Sequence, residues 1–189
     1  MGTAIESGFY NVSGQRAFSA ETWRETGVLG DLDQRGIRAI AVDLPGHGVT
    51  GGQPLPEDQR GPFLAKLLRE LGASPPVVLV TPSMSGTYAL PYLSEHCKDL
   101  AAWIPIAPVG LKGWAESGNL PGEDARKQLR LVAMYGEHDS MRGDYGYLED
   151  IFPTTAQFVL IRDAHHACYK DQPEVFRREL LRFIDNEIR

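Results

Sequence analysis

The chain has 189 residues, 42% of them hydrophobic and 23% charged, so it can bury a stable core without disulfides or metals. Its formal net charge of -6 lacks the basic footprint of nucleic-acid-binding proteins and disfavours anionic membrane surfaces. The sequence shows neither a signal peptide nor an apolar run approaching the ~20 residues that span a bilayer. We therefore expect a single cytoplasmic domain over residues 1–189, without nucleic-acid or membrane partners. The sequence carries no signal for an oligomeric state.

The two cysteines, Cys97 and Cys168, are far apart and form no C-x-x-C motif. This spacing predicts neither a disulfide framework nor a zinc site, and small buried hydrophobic side chains are the default role. No cofactor or metal ion is expected from the sequence.

Apolar and helical segments alternate along the chain. Five nearly continuous apolar runs predict buried strands at residues 37–42, 77–80, 103–107, 129–135 and 158–161. Helical spacing of apolar residues predicts helices at residues 21–35, 63–71 and 173–188. This alternation is typical of a doubly wound α/β domain with a mostly parallel sheet, whose functional residues lie at the carboxyl ends of the strands.

The first predicted strand ends at a glycine-rich turn, Asp43-Leu44-Pro45-Gly46-His47-Gly48. The glycines permit a tight path with positive φ, which favours a structural role for the turn and for His47. A D-x-x-G-x-G turn one strand before a serine turn resembles the α/β-hydrolase fold.

The second predicted strand ends at a serine between small residues. Thr81, Ser83 and Ser85 hold the positions usually written G-x-S-x-G, the nucleophile elbow, which makes Ser83 the candidate nucleophile. Ser85 occupies the second small position, so its side chain is expected to pack against the turn. The alternative is that Ser83 only caps the following helix by accepting hydrogen bonds from its first free amides.

The last two strand exits carry an acid and then histidines. Asp139 follows Gly136 in G-x-x-D spacing, whereas Asp163 lies beside the histidines on their own loop, so we prefer Asp139 as the acid. His165 and His166 are adjacent, and spacing alone does not separate them. The order serine, aspartate, histidine is the one that α/β-hydrolases use for their triad.

These residue types suit acyl transfer through a covalent intermediate. The histidine would take the proton of Ser83 as it attacks a carbonyl, and Asp139 would fix the histidine tautomer. The backbone N–H of Met84, at the start of the helix, is the expected first donor to the oxyanion.

Four segments together resemble the abhydrolase-domain-containing protein 14 group of small serine hydrolases: residues 18–23, 43–48, 83–86 and 164–169. The match runs from about Gln15 to the C-terminus. The resemblance implies Ser83, Asp139 and His166 as the triad and Gln15 as second oxyanion donor. It also implies activity on small esters, or on acyl groups carried by a larger acceptor.

The chain departs from that group in two places. The segment 8–16 is the short counterpart of a hairpin and strand ending in His-Gly-x-Arg, with Ser13 in place of the histidine. Either the neighbouring segments force this poor strand into place, or the sheet is shortened at its amino-terminal side, which is the fold we expect. Asp163 and His165 stand where the group tends to have glycines.

Residues 108–127 are a short insertion in which many α/β-hydrolases place a lid. Leu111, Trp114, Leu120 and Pro121 are candidates for a minimal cap over the site, and ordinary core packing is the alternative. The leading functional prediction is a serine hydrolase for a small acyl substrate. The alternatives are an acyltransferase that passes the acyl group to a thiol or amine, and a non-catalytic interaction protein of the same fold.

Overall fold

The computed structural model describes residues 20–73 and 77–188, in which four parallel strands form one sheet. The strands are β1 (Val77–Pro82), β2 (Leu100–Ile106), β3 (Arg130–Gly136) and β4 (Ala156–Ile161), and they lie in the order β1-β2-β3-β4. Four of the five predicted strands are thereby confirmed. Because all four run in the same direction, their carboxyl ends meet at one edge of the sheet.

Helices connect the strands. Those in the described part of the chain are α1 (Ala20–Glu25), α2 (Val28–Gln34), α3 (Glu57–Glu70), α4 (Gly86–His96), α5 (Leu111–Glu116), α6 (Glu123–Gln128), α7 (Tyr145–Ile151), α8 (Cys168–Asp171) and α9 (Pro173–Glu187). None of them is both long enough and apolar enough to cross a membrane.

The helix predicted over residues 21–35 is interrupted and forms α1 and α2 instead. Gly27 has a φ of 81°, in the left-handed region that ends helices. The apolar spacing continues across the break, so periodicity alone did not reveal it.

The sheet has a core on each face, as a doubly wound domain requires. Trp103, Leu131 and Tyr135 pack with helices α3, α4, α5 and α7 on one face. The intervening residues Ile104 and Val132 pack with α2 and α9 on the other. Strands covered on both faces explain why their sequences are continuously apolar.

The prediction of a strand at residues 37–42 is wrong for the described residues. Ile37 and Ala39 pack against the core, whereas Ile40 and Val42 are 43% and 39% exposed, so burial alternates as in an extended chain. However, β1 is the end of the described sheet and pairs only with β2. A strand requires backbone pairing with a neighbour, which the apolar pattern of the segment itself does not provide.

The predicted cap residues Leu111 and Trp114 lie in the core. Leu111 is 1% exposed, and the Trp114 indole stacks on Phe152 with 6.5 Å between ring centroids. The indole N–H of Trp114 donates to Ser94 Oγ at 2.9 Å. Leu111 and Trp114 are therefore core-packing residues, the alternative to a cap over the site.

Candidate active site

Ser83 lies at a sharp turn between β1 and α4. Its φ of 48° is in the left-handed region, which a non-glycine residue adopts only when the surrounding structure holds it there. A short 3-10 turn, Ser83–Ser85, leads directly into α4. A strained serine between a strand and a helix is the geometry of a nucleophile elbow.

The elbow is held from below and from one side. Beneath it, the indole N–H of Trp103 donates to Thr81 Oγ1 at 2.8 Å inside the core. Beside it, the Val109 N–H donates to the carbonyl oxygen of Ser83 at 2.9 Å. A Cβ on Gly86 would lie 2.8 Å from Val109 O, so the loop after β2 packs directly against the start of α4. Nothing in the sequence indicates this contact between Val109 and Gly86, because it joins segments that are distant along the chain.

Three of the predicted site residues lie in one line of hydrogen bonds. Ser83 Oγ is 2.7 Å from His166 Nε2, and His166 Nδ1 is 3.0 Å from Asp139 Oδ2. The Ser83 hydroxyl thus faces an imidazole, and neither the 3-10 turn nor α4 has a side-chain cap. The helix-capping alternative for Ser83 is not what the structure shows.

Asp139 is the carboxylate that meets the histidine. Its side chain is 1% exposed, and its Oδ1 accepts the Met141 N–H at 2.9 Å, which leaves Oδ2 for His166. Asp163, the competing acid, is exposed at a backbone φ of 54°. The second histidine, His165, turns its Nδ1 to Asp171 Oδ2 at 3.5 Å and is 74% exposed.

Of the two predicted oxyanion donors, the structure describes Met84 but not Gln15. Met84 lies in the first turn after the elbow, where backbone N–H groups have no partner within the helix itself. Gln15 lies outside the described residues, and so does the segment 8–16.

Both cysteines are buried and unpaired with each other, as the sequence predicted. Burial, and to a smaller extent the nearby charge of Asp139, raise the pKa of the Cys168 thiol to about 12. Because the thiolate is the reactive form, Cys168 is a packing residue and not a second nucleophile at neutral pH.

Gly136 lets the acid loop and the histidine loop pass each other closely. A Cβ at this position would lie 2.1 Å from the carbonyl oxygen of His165 and 2.4 Å from that of Ala164. Both obstacles are backbone atoms, which cannot rotate away as the end of a side chain can. Only glycine fits here without moving one loop.

Gly136→Ala is therefore expected to lower the free energy of unfolding by about 1–3 kcal/mol, as overpacked positions do, and to weaken the ester hydrolysis that the resemblance implies, by displacing His166. Chemical denaturation and initial rates would measure both effects. Gly143→Ala is the control, because no atom of the described residues lies within 4 Å of a Cβ there. Equal behaviour of the two variants would contradict this account.

The comparisons with known proteins agree with this architecture. Residues 8–179 match the model of the Alpha/beta hydrolase family, so the chain belongs to the α/β hydrolase family. The esterase RhEst1 from Rhodococcus sp. ECU1013 has the same fold, with a TM-score of 0.71 at 19% identity over 89% of this chain and 87% of the esterase. A predicted CIB-like hydrolase from Thermoplasma acidophilum superposes with a TM-score of 0.76 at 18% identity, over 91% and 83% of the two chains.

Relatives at higher identity confirm the resemblance to the abhydrolase-domain-containing protein 14 group. ABHD14A of Danio rerio is 39% identical over 171 residues, which is 89% of this chain but 61% of that protein, less than two thirds of its length. The human protein named "Putative protein-lysine deacylase ABHD14B" is 34% identical over 172 residues, covering 88% of this chain and 78% of the human one.

Proposed function

We propose that this protein is a serine hydrolase that cleaves small carboxyl esters or short acyl groups through an acyl-enzyme on Ser83. The observation that carries the proposal is the continuous hydrogen-bond line from Ser83 Oγ through His166 to the buried carboxylate of Asp139. Serine, imidazole and carboxylate in this order are the minimal set for activating a hydroxyl nucleophile.

In the first half of the reaction, Ser83 Oγ attacks the carbonyl carbon and its proton moves to His166 Nε2, 2.7 Å away. Asp139 accepts the Nδ1–H of His166 and stabilises the imidazolium that forms. The imidazolium then protonates the leaving alcohol or amine as the tetrahedral intermediate collapses. The product of this half-reaction is an ester between Ser83 and the acyl group.

In the second half, a water molecule loses a proton to His166 and attacks the acyl-enzyme carbonyl. The carboxylic acid leaves, and the proton returns to Ser83 Oγ. We assign the Met84 N–H to the oxyanion in both halves, since it belongs to the residue after the nucleophile. Loss of one oxyanion donor costs about 3 kcal/mol of transition-state stabilisation in such sites. Gln15 is the proposed second donor.

We further propose that acylated lysine side chains are among the substrates. The human relative's name supports this class, because a lysine deacylase removes an acyl group from an amine on a larger molecule. The exposure of the site supports it too, because the His166 side chain is 36% exposed and is thus reachable from solvent. A large acceptor can therefore remain outside while its short acyl group approaches Ser83.

The proposal is tested by following both the acyl-enzyme and the products. The protein is incubated with p-nitrophenyl acetate, or with an acetyl-lysine peptide, and intact mass spectrometry is used to look for one added acetyl group that Ser83→Ala does not acquire. The expected products are free acetate and a peptide that has lost only the acetyl group of its lysine. Repeating the reaction with an added thiol or amine separates hydrolysis from acyl transfer, because an acyltransferase makes the acetylated acceptor instead of acetate. If neither acetate nor the acetylated acceptor forms faster than in the uncatalysed reaction, the proposal is overturned and a non-catalytic protein is favoured.

A further inference from the structure

A second group of polar side chains lies beside the triad and is not used by the proposed reaction. Glu137, His138 and Asp163 each offer one ligand-type atom, and these atoms lie within 4.8 Å of one another. Glu137 and His138 immediately precede Asp139 on the loop after β3, and Asp163 is on the loop after β4. The group therefore spans the two loops that supply the acid and the histidine of the triad.

Hydrogen bonds from the loop after β3 to the end of β4 and to the loop after it hold the backbone of this group in place. The Glu137 N–H donates to Ile161 O at 2.8 Å, and the His138 N–H donates to Ala164 O at 2.9 Å. The Asp163 N–H in turn donates to Glu137 Oε2 at 3.1 Å. The three side chains thus start from positions that the folded chain has already fixed, so little ordering is needed to bring them to one ligand.

Within the described residues, no lysine or arginine forms an ion pair with the carboxylates of this group. Arg142 donates to the backbone carbonyl oxygen of Glu137 at 2.7 Å. Two neighbouring carboxylates repel each other, and a bound cation would relieve that repulsion.

The imidazole of His138 favours Zn²⁺ over Mg²⁺ and Ca²⁺ as the bound cation. His138 supplies a nitrogen ligand, and the ring of His165 lies 5.3 Å from it, centroid to centroid. Mg²⁺ and Ca²⁺ prefer sites made of oxygen atoms alone, whereas Zn²⁺ accepts imidazole nitrogen together with carboxylate oxygen. His138 and Asp163 are exposed, so an ion can enter from solvent and keep water as a further ligand.

The geometry points to a Zn²⁺-binding site formed by Glu137, His138 and Asp163, which ties the loop of Asp139 to the loop of His166. We infer that the ion binds the folded chain and stabilises it, since the three ligands come together only after β3 and β4 have paired. Cysteine spacing gave no sign of this site because its ligands are carboxylates and an imidazole from two separate loops.

Calorimetric titration of the tag-free, chelator-dialysed full chain with ZnCl₂ tests the inference, with thermal unfolding as a second readout. We expect one ion per chain and a higher Tm, and no comparable response to MgCl₂. His138→Ala and Asp163→Asn should each weaken Zn²⁺ binding about tenfold or more, because even loss of a residue that only supports a ligand costs about 10- to 100-fold. Asparagine tolerates the left-handed backbone of Asp163, so that variant is expected to fold.

Two other histidines provide the controls. His96 also lies between carboxylates, 3.9 Å from Glu95 and 3.4 Å from Asp99, and His96→Ala should bind Zn²⁺ as the wild type does. His166→Ala should do the same, which separates this site from the triad. The inference is overturned by absence of Zn²⁺ binding, by unchanged binding in His138→Ala, or by an equal loss in either control. These outcomes do not depend on whether the protein hydrolyses an ester.

Discussion

Ser83→Ala is expected to abolish labelling by a fluorophosphonate probe and to lower kcat/KM for ester hydrolysis by about 10⁴- to 10⁶-fold, because no acyl-enzyme can form. The Ser83 hydroxyl is the group that faces His166 Nε2 at 2.7 Å. In-gel fluorescence measures the labelling, and initial rates with p-nitrophenyl acetate measure kcat/KM. Folding should be retained, since the alanine keeps the Cβ and removes only one hydroxyl.

Ser85→Ala is the matched control for this prediction. Ser85 is two residues further along, in the same 3-10 turn, and differs from Ser83 in lacking the contact with His166. It should keep labelling and most of the activity. Labelling that survives in Ser83→Ala and disappears in Ser85→Ala would show that the nucleophile is the other serine. Labelling lost in neither variant would contradict a serine nucleophile at this turn.

Asp139→Asn is expected to lower kcat by about 10⁴-fold while leaving the fold intact, as this change does in other serine-histidine-aspartate triads. The amide that replaces the carboxylate can donate a hydrogen bond to His166 Nδ1, which holds the imidazole in the wrong tautomer and leaves the Nε2 proton facing Ser83. The amide oxygen of the new asparagine can still accept the hydrogen bond from the Met141 N–H. Single-turnover acylation rates measure the effect directly.

Asp163→Asn tests whether the exposed Asp163 contributes to the reaction beside Asp139, the buried partner of His166. Asp163 is exposed and directs its N–H to Glu137, whereas Asp139 Oδ2 lies 3.0 Å from His166. The asparagine variant at 163 should therefore retain acylation within a few-fold. If Asp163→Asn lost as much activity as Asp139→Asn, the acid of the triad would have been assigned wrongly.

Strand burial can be recognised from the sequence, whereas strand pairing cannot. The continuous apolar runs at 77–80 and 129–135 predicted strands because burial on both faces of a sheet leaves its mark on every residue of the strand. The run at 37–42 has a similar composition but no described pairing partner, and pairing is a property of two segments. The break at Gly27 is a local feature of the glycine itself, which the helical period of the surrounding apolar residues conceals.

By itself, the sequence determined the class of fold and the order serine, aspartate, histidine at successive strand ends, because residue period and turn chemistry are local properties. Spacing left His165 and His166 open and the family resemblance favoured His166; the tertiary structure shows His166 Nε2 at Ser83 Oγ and His165 turned to Asp171. Only the tertiary structure decided the bond from Val109 to the elbow and the approach of Asp163 to Glu137. Each of these contacts depends on the side-by-side packing of parallel strands, which brings distant loops to one edge of the sheet.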